Sequence, residues 1–126
     1  MARSFPIVYV RDIPKALEFY GELLGYEEQS RVPAEGDAMF VGLRRDASEL
    51  GLVHESSPQQ LINQGIGDGP RFEMFVYVDN VDDTVGKLRE ADVSVLREPE
   101  TMPWGERIAY VSDPEGNPIT VAASPA

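Results

Sequence analysis

Residues 8–12 read Val-Tyr-Val-Arg-Asp, and residues 76–80 read Val-Tyr-Val-Asp-Asn, 68 positions later. Each copy is an apolar run rich in β-branched and aromatic residues, which predicts a strand, and each ends at a polar residue suited to cap a helix. A period of this length nearly divides the 126-residue chain in two. The repeat therefore predicts two similar modules.

The same order of elements is predicted in both halves. After Asp12, apolar residues recur at helical spacing until Gly25, a natural helix stop. After Asn80, a second amphipathic pattern runs to Ala91. Three strands follow each helix. In the second half they are predicted at residues 93–96, 107–112 and 118–123, and Asp-Pro-Glu-Gly-Asn at residues 113–117 predicts the turn between the last two.

The segment between the halves has a different composition. Residues 56–70 contain Ser, Gln, Gly and Pro with few large apolar side chains, which predicts a connection with one helical turn near residues 59–63. The predicted organisation is a first βαβββ module at 1–55, a linker at 56–70 and a second module at 71–126, within one compact domain.

Composition excludes several classes of function. The net charge of −11 disfavours binding to nucleic acid and to anionic membranes. No apolar run is long enough to span a membrane and no secretion signal is visible, so we expect a cytoplasmic protein. The absence of cysteine removes disulfides and thiolate sites, and a single histidine leaves little material for a nucleophilic triad.

Four stretches together resemble the vicinal oxygen chelate superfamily, which groups glyoxalases, bleomycin resistance proteins and extradiol dioxygenases. They are Tyr9–Asp12 with its following helix, Val78–Asp82, Pro103–Arg107 and Asp113–Asn117. The resemblance implies an α+β fold of two tandem βαβββ modules. Their eight strands would form a cupped, partly open barrel with the helices outside. It also implies a homodimer.

Enzymes of this superfamily usually hold a divalent metal on His and Glu side chains of the first and last strands of each module. The resemblance, combined with the 68-residue repeat, places these positions at Phe5, Leu52, Glu73 and Thr120. Only Glu73 is a good ligand. His54 shares a strand face with Leu52, but His54 and Glu73 would still make a poor site. We therefore expect no metal and no other cofactor.

Strand alternation predicts which side chains line the cup. Glu73, Phe75 and Tyr77 share one face, and Glu73 there is a candidate general base, a counter-charge for a cationic ligand, or the partner of Arg71 or Arg107 in a salt bridge. Arg107 could instead anchor an anionic group. The predicted ligand-binding residues are Phe5, Ile7, Tyr9, Leu52, His54, Glu73, Phe75, Tyr77, Trp104, Arg107 and Thr120, with Glu73 also the candidate catalytic residue.

Trp104, the only tryptophan, lies between a proline and a glycine. On a loop near a cavity mouth its ring would stack on a flat ligand. The alternative is packing over the barrel edge or in a dimer contact.

Three functions remain open. The first is metal-independent binding of a small organic molecule, cationic or aromatic, in the cup, by sequestration as bleomycin resistance proteins do. The second is a glyoxalase-like lyase or isomerase, or a dioxygenase-related enzyme with a degenerate metal site, and it is disfavoured because enolate-type intermediates need an electrophile. The third is a non-catalytic association module. The expected partners are a small molecule and a second copy, without nucleic acid or membrane.

Overall fold

A computed structural model describes residues 4–125 of the chain. The chain divides into two compact units, one ending at Gly67 and the other beginning at Asp68. Within the described residues, no helix is both long enough and apolar enough to cross a membrane.

The first unit is a βαβββ module followed by a short helix. Its sheet has the order β1-β4-β3-β2, in which β1 runs parallel to β4 and the other neighbours are antiparallel. The helix α1 continues as a π-helical segment at Glu18–Leu23. The elements are β1 Ile7–Val10, α1 Ile13–Leu17, β2 Glu27–Val32, β3 Phe40–Arg45, β4 Ser48–His54 and α2 Ser56–Ile62.

The second unit repeats this topology. Its sheet has the order β5-β8-β7-β6, again with the first strand parallel to the last. The elements are β5 Met74–Tyr77, α3 Val81–Glu90, β6 Val95–Thr101, β7 Arg107–Ser112 and β8 Pro118–Ala123. The predicted α+β fold with two tandem βαβββ modules is confirmed. The predicted connection at 56–70 begins with α2, which belongs to the first unit.

Equivalent side chains start the two main helices. The Asp12 carboxylate accepts a hydrogen bond from the Lys15 backbone N–H at 3.0 Å, and Pro14 lies in the first turn of α1. The Asn80 side chain accepts from the Asp83 backbone N–H at 2.9 Å. Both oxygens satisfy N–H groups that the first turn of a helix leaves without a partner. The polar residue after each repeated strand therefore fixes where the helix begins.

Each sheet buries one face against its own helix. In the first unit Val8, Val10 and Leu52 are buried on this face. In the second unit Val76 of β5 and Leu88 of α3 are buried in the same way. Because successive side chains of a strand point to opposite faces, the neighbours of these core residues lie on the face away from the helix. The candidate site residues of β1 and β5 are on that face.

Candidate functional site

The exposed face of β5 carries a row of one carboxylate and two aromatic rings. Glu73, Phe75 and Tyr77 alternate with the buried Val76, so they lie on the sheet face opposite α3. Phe75 is 52% exposed and Tyr77 is 49% exposed, and their ring centroids are 5.4 Å apart. The backbone of Thr120 pairs beside Phe75, and its hydroxyl donates a hydrogen bond to Glu73 Oε1 at 3.2 Å. The structure thus brings together the four candidate residues of these two strands.

A second carboxylate joins this row to Trp104. Glu106 Oε2 accepts a hydrogen bond from the Tyr77 hydroxyl at 2.6 Å, and Oε1 accepts one from Trp104 Nε1 at 2.9 Å. Trp104 is 64% exposed and follows the strand β6 on a tight loop, which Gly105 closes with a φ of +100°. We call Phe75, Tyr77 and Trp104 the aromatic face. Its rings come from β5 and from the β6–β7 loop.

The protonation states follow from these hydrogen bonds. The bonds from Tyr77 and then Trp104 lower the pKa of Glu106 below its ordinary 4.5. The bond to Glu106 raises the pKa of Tyr77 above its ordinary 10.0. Because the pKa of Glu106 is lowered, the stabilisation from these two hydrogen bonds is present above about pH 4.5. It is lost as the pH falls through the lowered pKa. Glu106 is therefore ionised, and Tyr77 is protonated, across the neutral range.

Sequence reasoning missed Glu106. Its residue type is ordinary for an acidic chain, and the Trp104–Glu106 spacing is the only local signal of a contact. The bond from Tyr77 joins residues 29 positions apart and depends on how β5 and β7 are placed in the sheet. Such a pairing is decided by tertiary structure.

The two arginines considered as partners of Glu73 bind other carboxylates. Arg107 donates to both carboxylate oxygens of Asp82, at 2.5 and 2.9 Å, and also to the Thr101 hydroxyl. Asp82 lies in the first turn of α3, which packs on the face opposite Glu73. This pairing lowers the pKa of Asp82. Arg71 forms its ion pair with Glu115, at 3.2 Å. Arg107 is therefore placed away from the aromatic face, and the proposed pair with Glu73 is not formed.

The first unit presents a different surface at the equivalent positions. Phe5, Ile7 and Tyr9 share a face by alternation, as expected. The residue beside Ile7 on β4 is Gly51, whereas Leu52 pairs with Val8 and is fully buried on the helix side. The placement of Leu52 on the open face was therefore wrong. One more residue separates the paired Phe75 and Thr120 than separates the paired Ile7 and Gly51, so Thr120 corresponds to Gly51 and the 68-residue period fails there.

These positions do not fit a divalent metal. Phe5 and Gly51 offer no side-chain donor, while Glu73 offers one carboxylate and Thr120 one hydroxyl, and these two groups are hydrogen bonded to each other. Between residues 4 and 125, no cluster of three or more His, Cys, Asp or Glu side chains could hold a metal ion. These four positions thus lack the set of donors that zinc and hard divalent cations require.

Replacing Gly51 by Ala tests how tightly the first unit is packed at the equivalent of Thr120. A Cβ there would lie 2.6 Å from Ile7 Cδ1, 3.1 Å from Phe40 Cε1 and 3.3 Å from Phe5 Cε2. We expect Gly51→Ala to lower the free energy of unfolding by less than about 1 kcal/mol, since the exposed Ile7 side chain can move while the two rings must give slightly. Urea denaturation measures the change.

The control for that substitution is Gly86→Ala in α3. A Cβ at Gly86 meets nothing within 4 Å. Because alanine favours the helix over glycine, this variant should gain about 0.5–1 kcal/mol. Equal effects of the two substitutions would contradict the packing at Gly51.

His54 lies on the same face as Leu52, as predicted, but that face is turned toward α1 and away from Phe5, Ile7 and Tyr9. The Ser56 backbone N–H donates to His54 Nδ1 at 3.2 Å, and the Ser56 hydroxyl lies 2.8 Å from the same atom. With Nδ1 as an acceptor, the proton of the neutral ring is on Nε2. His54 borders an open pocket of about 550 Å³ in the first unit, together with Ile13, Leu17 and Met39.

Comparison with known proteins agrees with this fold. A family model described as Glyoxalase/Bleomycin resistance protein/Dioxygenase superfamily matches residues 4–121. No curated protein matches the chain significantly. Among solved structures, hypothetical protein SA1046 from S. aureus is 24% identical with a TM-score of 0.80, over 98% of this chain and 94% of that one.

Two further solved structures are similar over nearly their full length. A superfamily member from Sphaerobacter thermophilus is 26% identical, with a TM-score of 0.75 and 98% of both chains covered. A lactoylglutathione lyase from Agrobacterium tumefaciens is 20% identical, with a TM-score of 0.71, over 98% of this chain and 94% of that one.

Proposed function

The chain belongs to the Glyoxalase/Bleomycin resistance protein/Dioxygenase superfamily, and from this premise we propose that it binds a small organic molecule, without a metal ion, on its aromatic face. The observation that carries this function is the exposure of three aromatic rings, between 49% and 64%, in one unit. A contiguous exposed apolar surface marks an interaction site. Rings held at defined angles favour flat ligands.

The charges around the rings favour a cation. Glu73 lies two residues before Phe75, at one end of the β5 row, and Glu106 contacts Tyr77 at the other. A cation above an aromatic ring is attracted by the negative charge of its face, and nearby carboxylates strengthen that attraction. Arg107, which follows Glu106 in the sequence, directs its guanidinium to Asp82 on the other side of the sheet. An anionic ligand at the rings would meet the carboxylates of Glu73 and Glu106.

The side chains at the candidate metal positions favour sequestration over catalysis. A lyase or isomerase that forms an enolate needs an electrophile to stabilise the oxyanion. Phe5, Gly51 and Thr120 do not supply the imidazoles and carboxylates that would hold one. The second candidate is a glyoxalase-like enzyme with Glu73 as its base. It is supported by the similarity to a lactoylglutathione lyase and by the position of an exposed carboxylate beside the rings.

Metal analysis combined with a ligand titration separates the two candidates. We expect protein purified without chelators or a histidine tag to contain less than about 0.1 divalent ion per chain, because one good ligand does not retain a metal. The flat cation 1-methylquinolinium should quench Trp104 fluorescence saturably, and treatment with EDTA should leave the curve unchanged. Elemental mass spectrometry and fluorescence provide the two measurements.

Two outcomes of these measurements would contradict the proposal. About one divalent ion per chain, with a response that EDTA abolishes, would contradict metal-independent binding and make the enzyme the leading candidate. Absence of both the metal and the fluorescence response would count against a flat cationic ligand on this face.

A further inference from the structure

One carboxylate holds two rings that come from different parts of the second unit. Tyr77 ends β5, Trp104 lies on the β6–β7 loop, and each donates to a different oxygen of Glu106. We infer that Glu106 is a positioning residue that fixes Tyr77 and Trp104 and makes the aromatic face selective for flat cations. The selectivity rests on the binding function proposed above, whereas the fixing of the rings does not.

The exposure of Trp104 shows why an anchor is needed. Its side chain is 64% exposed on a loop, so packing alone restrains it little. The hydrogen bond from Nε1 to Glu106 fixes the polar edge of the indole. The bond from the Tyr77 hydroxyl fixes the second ring in the same way. Because both polar edges are directed to Glu106, the ring faces and not their hydrogen-bonding groups are presented to a ligand.

The same arrangement determines the charge of the ligand. Two neutral donors stabilise the Glu106 carboxylate without neutralising it, and together they lower its pKa. A negative charge therefore stays at the edge of two rings whose faces already attract cations. An anion of the same shape would be repelled. Rings fixed before binding also reduce the ordering cost that a ligand must overcome.

The ring anchoring is tested first in the ligand-free protein. Trp104 is the only tryptophan, so its fluorescence anisotropy reports this side chain alone. Glu106→Ala should lower the anisotropy and bring the Tyr77 pKa, followed by NMR and assigned with Tyr77→Phe, back to about 10. Glu106→Gln keeps one acceptor oxygen and should give an intermediate anisotropy. Unchanged anisotropy and an unchanged Tyr77 titration in Glu106→Ala would overturn the positioning role.

Selectivity is tested with three ligands that share one bicyclic body. They are 1-methylquinolinium, quinoline and quinoline-2-carboxylate, which at pH 8 are a cation, a neutral molecule and an anion. In the unsubstituted protein the cation should bind roughly 10-fold more tightly than quinoline, and the anion most weakly. Glu106→Gln should remove most of this preference and change the quinoline affinity by less than about 3-fold.

The control is Glu98→Gln, which removes an equal charge from a side chain that pairs with Arg89 of α3. It should leave all three affinities and the anisotropy unchanged. A cation preference that survives in Glu106→Gln, or that is lost equally in Glu98→Gln, would overturn the selectivity. If no probe binds the unsubstituted protein while Glu106→Ala still releases the rings, the proposed binding function fails, the selectivity fails with it, and the positioning role is supported.

Discussion

Asp113→Ala is expected to lower the free energy of unfolding by about 3–5 kcal/mol, the largest stability effect we expect from a polar residue. Asp113 is 4% exposed, and both oxygens of its carboxylate accept hydrogen bonds. Oδ1 accepts from the backbone N–H groups of Glu115 and Asn117, at 2.9 and 2.7 Å, and Oδ2 accepts from Asn117 Nδ2 at 2.9 Å. Alanine would leave these donors without their acceptor inside the protein, and each costs about 1–3 kcal/mol.

The effect should reach the candidate site. Asn117 is fully buried, and its Oδ1 accepts a hydrogen bond from the Arg71 backbone N–H at 2.8 Å. The β7–β8 turn is thereby attached to the segment that leads into β5, two residues before Glu73. Loss of the Asp113 carboxylate would loosen both strands that carry Glu73 and Thr120. Typical domains are stable by only about 5–15 kcal/mol, so the second unit should be strongly destabilised.

Urea denaturation of the purified variant measures this loss. The matched control is Asp79→Ala, an exposed aspartate in the same unit, which should change the stability by less than about 0.5 kcal/mol. Asp113→Asn keeps one acceptor oxygen and should fall between the two. A loss below about 1 kcal/mol in Asp113→Ala would mean that water replaces the carboxylate and that the network is not buried in solution.

The same turn explains why part of the fold was predictable. Proline and glycine within residues 113–117 leave the chain few ways to reverse, so β7 and β8 were predicted with the bounds that the structure shows. Strand β6 was predicted to end at Leu96 but continues to Thr101 through Pro99. Proline is accepted there because β6 is the edge strand of its sheet. Local chemistry fixed the turn, whereas sheet position decided the length of β6.

The site was predictable where it depends on alternation along a single strand. The shared face of Glu73, Phe75 and Tyr77 follows from the period of two. The face on which Leu52 lies was predicted in another way, by subtracting a constant period of 68. One additional residue in the second unit breaks that period, so the Leu52 side chain points to the other face. The bond from Tyr77 to Glu106 joins residues 29 positions apart, and no local pattern records such a contact.

The double variant Phe75→Ala/Tyr77→Ala is expected to weaken the binding of 1-methylquinolinium by about 100-fold. Each ring contributes stacking and cation–π attraction worth roughly 10-fold in affinity at an exposed site. The two rings are 5.4 Å apart, so one flat ligand can contact both. Trp104 remains as the reporter, and the affinity is measured by its quenching. Leu61→Ala is the control, because Leu61 is an exposed apolar residue of α2, 79% accessible, in the other unit.

This variant also separates ligand binding from association. If the exposed rings serve a contact between two copies, the double variant should dissociate the dimer in sedimentation velocity and leave the response to 1-methylquinolinium unchanged. If they bind a ligand, the affinity should fall while the sedimentation coefficient stays the same.

The carboxylates beside the rings have opposite effects on ligand binding and on association. Carboxylates beside the rings attract a cation, whereas two copies that meet face to face would bring Glu73 and Glu106 of each against those of the other, and like charges in a shared contact oppose association. We therefore expect the double variant to lose affinity for 1-methylquinolinium and to keep its sedimentation coefficient.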